Sequence, residues 1–269
     1  MSTFRFTILG CGSSGGVPRL GGHWGDCDPT NPKNRRRRCS MLAERVTGDK
    51  HTRVLIDTTP DLHAQLLDAG VGELDGVVYT HSHADHTHGI DDLRQIVFNT
   101  RQRLKVWADG PTGEALTSRF SYAFVQAADS PYPSILDLNT IHDGKAFTVD
   151  GAGGPIPFLP FAADHGAMEA LGFRIGPLAY LPDAVAIPES SWAHLQGLGA
   201  WVVDALRRKP HPTHAHLDMT LGWLDRARPQ HGVLTNMHIE MDYATLRDEL
   251  PKGIEPAYDG MVISFDNQG

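Results

Sequence analysis

The residues of this chain best suited to chemistry lie in one short stretch, Thr80-His81-Ser82-His83-Ala84-Asp85-His86. The stretch follows an apolar run (Val77-Val78-Tyr79) that predicts a buried strand. His81 and His83 are two positions apart, so on an extended segment their imidazoles point to the same side. Asp85 and His86 fall where the chain can turn into a helix, with Asp suited to its first turn. One strand end can therefore offer two ligands to one divalent ion and two to a second, using the nitrogen and oxygen donors of catalytic zinc-type sites.

The letters HSHADH resemble the HxHxDH signature of the metallo-β-lactamase superfamily of hydrolases, and the resemblance extends across nearly the whole chain. It implies three further metal ligands, each after a later strand: His165, a bridging Asp183, and His238. It also implies an α/β fold of the αββα type, with two mixed sheets packed face to face and helices outside. Two divalent ions are the implied cofactors, and zinc and manganese both suit these nitrogen and oxygen ligands.

Three other stretches resemble the cyclic-phosphate phosphodiesterases of phosphonate breakdown, relatives of the tRNA 3′-processing nucleases: Leu9–Pro18, Arg37–Ser40 and Tyr258–Met261. The resemblance implies hydrolysis of a small cyclic or nucleotide-like phosphodiester by a metal-bound hydroxide, with Asp85 orienting the attacking water. Those enzymes carry a cluster of cysteines that helps hold a structural zinc near the N-terminus. The corresponding residues 22–28 contain one cysteine here, so a polar surface loop is favoured over a metal held by His23, Asp26, Cys27 and Asp28.

A leaving alkoxide needs a proton donor on the far side of the phosphorus. We expect His216 to be this donor, because it lies between a predicted strand end and a helix start, where the phosphodiesterase branch carries a catalytic histidine. His211 and His214 lie close in sequence, and either of them could be the donor instead.

Two other functions stay open at this point. The first is hydrolysis of a thioester or a lactone, since the same metal pair also activates water against a carbonyl group and the fold does not separate the two. The second is a non-hydrolytic role close to the cofactor-biosynthesis proteins that share a similar N-terminal turn.

The elements that must position these residues alternate between strands and helices. Predicted strands cover Phe4–Leu9, Val54–Asp57, Ala200–Asp204 and Met261–Phe265, and predicted helices run from Thr59 to Gly70, over Leu217–Ala227 and over Asp242–Leu250. Two roles suit Asp57 equally well: hydrogen-bond partner of a ligand histidine, or simple turn residue. Residues 101–150 show weak periodicity and are interpreted as a lid or a dimer contact.

Composition and net charge bear on the domain organisation, the location and the partners of the protein. With 269 residues and 41% hydrophobic residues, the chain is expected to form a single domain (residues 1–269) with a sizeable core. It has no apolar run of about 18 residues and no signal-peptide pattern, and three cysteines suit a reducing cytoplasm. A net charge of −8 argues against a long nucleic acid, although Lys33–Arg38 is basic. A small phosphodiester is the expected partner, and the resemblance is compatible with a homodimer.

Overall fold

The computed structural model describes residues 2–267, in which fourteen strands form two seven-stranded sheets. The first sheet has the order β14-β1-β2-β3-β4-β5-β6, and the second has the order β13-β12-β11-β10-β9-β8-β7. The strands of the first sheet are β1 (Ser2–Gly10), β2 (Ser40–Thr47), β3 (Lys50–Ile56), β4 (Gly76–Val78), β5 (Leu104–Ala108), β6 (Leu136–Thr140) and β14 (Val262–Asn267). Those of the second are β7 (Phe147–Val149), β8 (Ile156–His165), β9 (Met168–Ile175), β10 (Leu178–Leu181), β11 (Ala200–Asp204), β12 (His231–Thr235) and β13 (Ile254–Pro256).

Seven α-helices lie within the described residues: α1 (Leu62–Ala69), α2 (Ala84–Thr87), α3 (Leu93–Thr100), α4 (Gly110–Arg119), α5 (Ser121–Phe124), α6 (Leu217–Ala227) and α7 (Tyr243–Glu249). None of these helices is long and apolar enough to cross a lipid bilayer.

Both sheets are mixed. In the first sheet, β14, β1, β2 and β3 pair antiparallel, and β3 through β6 pair parallel. In the second sheet, β10 through β13 are parallel, and β7 through β10 are antiparallel. Each sheet therefore has a parallel half, and all strands of that half end at the same edge. Side chains that follow these strands are brought together at the two edges.

The hydrophobic core explains the layering. Alternate residues of β1 (Phe4, Phe6 and Ile8) are buried in the large core that the two sheets share. A second core lies on the other face of the first sheet, where Leu62 of α1 and Leu93 of α3 pack with residues such as Leu55. The apolar sides of these helices and the outer face of the first sheet thus bury each other, as layered α/β domains require. The predicted αββα sandwich of two mixed sheets is confirmed.

Most predicted elements occur close to their expected bounds, with two departures. Helix α1 begins at Leu62 rather than directly after Thr59, because Thr59–Asp61 form a turn in which Thr59 Oγ1 accepts from the Asp61 backbone N–H at 3.1 Å. Residues 101–150, interpreted as a lid or dimer contact, supply three strands and two helices of the framework (β5, β6, β7, α4 and α5). The longest part of this segment without a helix or strand lies between α5 and β6.

Candidate metal centre

The centre forms where strand ends of the two sheets face each other. Residues after β4 of the first sheet carry the HSHADH motif, and His165 ends β8 of the second sheet. Asp183 comes two residues after β10, Asp204 is the last residue of β11, and Asn236 directly follows β12. Because β10, β11 and β12 are parallel and in register, these three polar side chains lie along one edge.

The first group of candidate ligands consists of His81, His83, His165 and Asp183, whose ligand atoms all lie within 4.8 Å of one another. Nδ1 of His83 is 3.1 Å from Nε2 of His81 and 3.1 Å from Nε2 of His165. Two nitrogens bound tetrahedrally at about 2.1 Å from one zinc ion would lie roughly 3.4 Å apart. The spacing of this group therefore fits a single divalent ion.

Asp183 also belongs to a second group, formed with Asp85 and His86. Oδ2 of Asp183 lies 3.6 Å from Nε2 of His81 and of His165, and 3.5 Å from Nε2 of His86. Nε2 of His86 is in turn 3.6 Å from Oδ2 of Asp85. One carboxylate oxygen thus faces both groups at nearly equal distances.

Hydrogen bonds on the far side of three of the four ligand imidazoles favour one tautomer of each ring. Nδ1 of His86 lies 2.7 Å from Oδ2 of the buried Asp57, and Asp57 also accepts from the backbone and hydroxyl of Thr80. Nδ1 of His81 lies 2.9 Å from Thr80 Oγ1, and Nδ1 of His165 lies 2.7 Å from the carbonyl oxygen of Thr213. Each Nδ1 can carry the proton, so each Nε2 keeps a lone pair for a cation.

Protonation also suits cation binding. Burial holds the pKa of His81 well below its usual range and lowers the pKa of His165, so both rings are neutral near pH 7. Burial lowers the pKa of His86 too, but the carboxylates around it, with Asp183 foremost, raise it well above its usual value. Burial raises the pKa of Asp183, and His86 outweighs this and holds it well below its usual range. A cation would replace the proton that His86 shares with this carboxylate.

The structure places His214, rather than His216, against this centre. Nδ1 of His214 lies 3.0 Å from Oδ2 of Asp204 and 4.0 Å from Oδ2 of Asp183, and its ring centroid is 4.6 Å from that of His165. Burial lowers the pKa of His214, but the hydrogen bond to Asp204 and the charges nearby raise it to about 9. His214 is therefore protonated at neutral pH and lies beside the candidate ligands.

His216 has a structural position instead. It is the residue before α6, and its carbonyl oxygen accepts the backbone N–H of Thr220. Within residues 2–267, its buried Nδ1 has no hydrogen-bond partner. His211 lies beside His214, with ring centroids 5.1 Å apart. The expected donor His216 therefore lies away from the candidate ligands, and His214, one of the alternatives that the sequence leaves open, lies beside them.

The structure likewise separates His238 from the two ligand groups. Its Nε2 contacts the guanidinium of Arg19, and its Nδ1 lies 3.6 Å from Oε1 of Glu240. Asn236, two residues earlier, occupies the edge of the sheet and lies 3.2 Å from Oδ1 of Asp183. The expected His238 ligand is therefore not brought to the centre, because the strand ends at Thr235 and the next side chain already faces it.

The N-terminal loop does not gather a ligand set. Cys27 is buried, and Arg36 Nη1 donates to its Sγ at 3.7 Å. His23, Asp26 and Asp28 are exposed. Among the described residues, His81, His83, His165 and Asp183 are the group of metal-ligating side chains that converges on one point. The interpretation of residues 22–28 as a polar loop agrees with this arrangement.

Sequence reasoning did not assign roles to four residues of the centre: Thr80, Asp204, Thr213 and Asn236. Asp204 and Asn236 carry a usable signal, since each stands at the end of an apolar strand-like run. Thr80 and Thr213 carry none, because they act through a hydroxyl and a backbone carbonyl that any loop residue could supply.

Comparison with known proteins agrees with this geometry. A family model described as a beta-lactamase superfamily domain matches residues 52–239. A solved structure described as a new diphosphatase from the PhnP family is 34% identical, with a TM-score of 0.86 over 98% of each chain. An octanoyltransferase of Porphyromonas gingivalis (strain ATCC BAA-308 / W83) is 31% identical over 98% of this chain and 52% of its own length, so this chain spans about half of that relative.

A coenzyme PQQ synthesis protein B of Azoarcus sp. (strain BH72) is 25% identical over 97% of this chain and all of its own length. The fold, the candidate metal ligands and these similarities together support a metal-dependent hydrolase. Since the family match covers most of the chain and the αββα sandwich agrees with it, this chain belongs to the metallo-β-lactamase superfamily.

Proposed function

We propose that this protein is a dinuclear metal-dependent phosphodiesterase that hydrolyses a small cyclic or nucleotide-like phosphodiester. One observation carries the proposal: Oδ2 of Asp183 faces His81 and His165 of the first group and His86 of the second at nearly equal distances. A shared carboxylate oxygen between two ligand groups is the feature that a two-ion centre needs and a one-ion centre does not.

The donor atoms fit divalent ions such as zinc or manganese, with His81, His83 and His165 holding the first, Asp85 and His86 the second, and Asp183 both. When bound, such ions would lower the pKa of a nearby water and neutralise the charge of the phosphate oxygens. Asp85 is the ligand carboxylate better placed to orient that water, since its side chain is 19% exposed whereas Asp183 is buried.

His214 completes the chemistry as the proton donor. The hydrogen bond from its Nδ1 to Asp204 fixes the ring, so Nε2 is left to give a proton to the departing oxygen. Asp204 is fully buried, which raises its pKa, but the bond to His214 opposes this and the pKa is about 6. The pair therefore keeps the ring charged and fixed at neutral pH.

The substrate class is the part of this proposal that needs a direct test. We expect the metal-loaded protein to hydrolyse bis-nitrophenyl phosphate faster than a thioester or a lactone, and Asp183→Asn to lose that activity. A diphosphate belongs in the same panel, because the 34% identical relative is described as a diphosphatase. Faster turnover of the thioester or the lactone than of every phosphorus substrate would contradict the proposal and favour the carbonyl alternative.

The full-length similarity to a PQQ synthesis protein favours one alternative outside hydrolysis, a role in cofactor biosynthesis. That alternative predicts no turnover of the whole panel by protein that binds divalent metal. Cytoplasmic location, a single domain over residues 1–269, a homodimer and the exclusion of long nucleic acids stay predictions.

A further inference from the structure

The two ligand groups of the candidate centre are unequal. We propose that the protein holds one ion tightly and the other weakly, because Asn236 occupies the edge of the second sheet beside the site and adds no ligand atom there. The first group is the one formed by His81, His83, His165 and Asp183, and the second is the one formed by Asp85, His86 and Asp183. The inference rests on the proposed two-ion function and extends it to how the site is filled.

Strand register places Asn236 at the centre. Val203 of β11 is aligned with Leu181 of β10 and with Leu234 of β12, so the residues that follow these strands share an edge. Asn236 has a φ of 59°, a left-handed conformation that Asn, Asp and His adopt more readily than other non-glycine residues. The side chain is consequently buried beside Asp183 and Asp204.

The amide of Asn236 is fully engaged by its neighbours. Its Nδ2 lies 3.2 Å from Oδ1 of Asp183 and 3.2 Å from Oδ1 of Asp204. An amide nitrogen has two hydrogens and no lone pair for a cation, so these two bonds exhaust it. Nδ2 also lies 3.0 Å from Nδ1 of His214. The two carboxylate acceptors outnumber this one ring nitrogen, so the orientation in which the amide donates to both carboxylates is favoured.

This arrangement divides the ligands unevenly. Asn236 donates to Oδ1 of Asp183, so Oδ2 is the oxygen of this carboxylate that would be available to ions in either group. The first group then supplies three imidazole nitrogens besides the shared oxygen. The second group supplies one imidazole and the carboxylate of Asp85 besides that oxygen. With one donor fewer and one imidazole in place of three, the second group should hold its ion more weakly.

The effects of substitutions at metal sites in general set a lower bound on the difference between the two dissociation constants. Losing a residue that merely orients a ligand costs about 10–100-fold in metal affinity, and the second group has one imidazole where the first has three. We therefore expect the dissociation constants of the two ions to differ by at least about 100-fold. Occupancy of the second group would then follow the free metal concentration while the first group stays filled.

The test is a metal titration of the whole 269-residue chain. Chelator-treated protein is titrated with Zn²⁺ in competition with a fluorescent chelator, and elemental analysis counts the bound ions. We expect two ions per chain, with dissociation constants at least about 100-fold apart, and loss of the weaker class alone in Asp85→Ala.

Two variants at the same strand end sharpen this test. Asn236→His keeps a residue type that tolerates the left-handed backbone and adds an imidazole at the edge, so it should tighten the weaker class by at least about tenfold and leave the tighter one unchanged. His238→Asn is the matched control, and it should alter neither constant because His238 contacts Arg19 and not the ligand groups.

The outcomes separate this inference from the proposed function. Two ions bound with equal affinity by the wild-type protein would overturn the inference and leave the two-ion phosphodiesterase intact. Loss of the weaker class in His238→Asn would overturn it too, since His238 would then be a ligand. One ion or none at saturating Zn²⁺ would overturn the two-ion function itself. The wild-type titration decides the matter even where a variant does not fold.

Discussion

At the residue scale, the environment of Asp57 shows how the chain prepares a ligand. Its Oδ2 accepts from Nδ1 of His86 at 2.7 Å and from the hydroxyl of Thr80 at 2.7 Å, while Oδ1 accepts the Thr80 backbone N–H at 2.8 Å. Because this carboxylate accepts Nδ1–H, Nε2 is the ring nitrogen that faces Asp183 and can exchange its proton for a cation. The orientation of His86 therefore depends on Asp57 accepting on both oxygens.

The substitution Asp57→Asn tests this dependence. In this variant an amide nitrogen would face Nδ1–H of His86, so two donors would oppose each other. The ring would then carry its proton on Nε2, and Nε2 would lose the lone pair that binds a cation. We expect metal affinity of the second group to fall by about 10–100-fold. Asn tolerates the φ of 63° at this position, so folding should be preserved. Zinc titration measures the effect.

Asp61→Asn provides the control, because Asp61 follows the same strand but accepts from the backbone of Arg38 instead of a ligand. Unchanged zinc affinity in Asp57→Asn would contradict the role assigned to Asp57, and an equal loss in both variants would point to a general effect on the turn.

A second prediction at this scale concerns proton donation. His214→Ala should slow hydrolysis of phosphodiesters with alkoxide leaving groups by about 10²–10⁴-fold more than hydrolysis of nitrophenyl esters, which leave without a proton. His216→Ala is the matched control, and we expect it to slow both substrates alike or not at all. Equal losses on the two substrate types in His214→Ala would remove the donor assignment.

The roles of individual residues could be predicted only where the sequence signal was local and chemically distinctive. Histidines and aspartates that follow apolar strands stand out in the sequence, and the structure brings His165 and Asp183 to the motif at His81–His86. An asparagine carries no ligand signal, so the sequence singles out His238 instead of Asn236. Spacing does not separate His214 from His216, since the bends at residues 212–214 break the alternation that spacing arguments assume.

At the element scale, Asp242 ties α7 to the N-terminal loop. As the N-cap, its Oδ1 accepts the backbone N–H of Thr245 at 2.9 Å, and its Oδ2 accepts from the Asp28 backbone at 3.1 Å and from Asn34 Nδ2 at 2.6 Å. Burial raises the pKa of Asp242, but these donors outweigh it and lower the pKa to about 2. The folded chain thus prefers the ionised carboxyl more strongly than the unfolded chain does.

The substitution Asp242→Ala should therefore lower the free energy of unfolding by about 1–2 kcal/mol at pH 7. The stabilisation is complete above the unfolded pKa near 4 and is lost as the pH falls through about 2. Between pH 7 and pH 3 the gap between wild type and variant should shrink by about 1 kcal/mol. Urea unfolding at several pH values measures it.

Asp109 offers a comparison for Asp242, because it caps α4 with one bond, to the backbone N–H of Thr112. Asp109→Ala should cost less than Asp242→Ala at pH 7. If the difference in free energy of unfolding between wild type and Asp242→Ala stayed constant from pH 7 to pH 3, the assigned ionisation of Asp242 would be contradicted.

Element positions followed the sequence where one periodicity dominated. Strand β11 and helix α6 occupy their predicted bounds, since an unbroken apolar run and a regular apolar stripe define them. Residues 101–150 were harder because their strands are short and half-exposed, as in β7, where one of three residues is buried. Such strands are fixed by pairing with distant partners, which local periodicity does not record.

At the scale of the whole molecule, the centre joins the two sheets. The first sheet and its α2 supply His81, His83, Asp85 and His86, and the second supplies His165 and Asp183. Cation binding therefore links residues from different halves of the sandwich, and the folded protein alone presents them together. A ligand that binds only the folded state stabilises it by mass action.

Metal loading should consequently raise the melting temperature. At a free metal concentration about 100 times the dissociation constant, the gain is about 2.7 kcal/mol, which for a chain of this size corresponds to roughly 5–10 °C. Calorimetry with and without a chelator measures the shift. Asp183→Asn should remove most of it, because Asp183 touches both ligand groups, whereas Asp85→Ala should retain the part due to the first group. A shift that survived Asp183→Asn unchanged would mean that the stabilising ion binds elsewhere, and the two sheets would then not be joined through this centre.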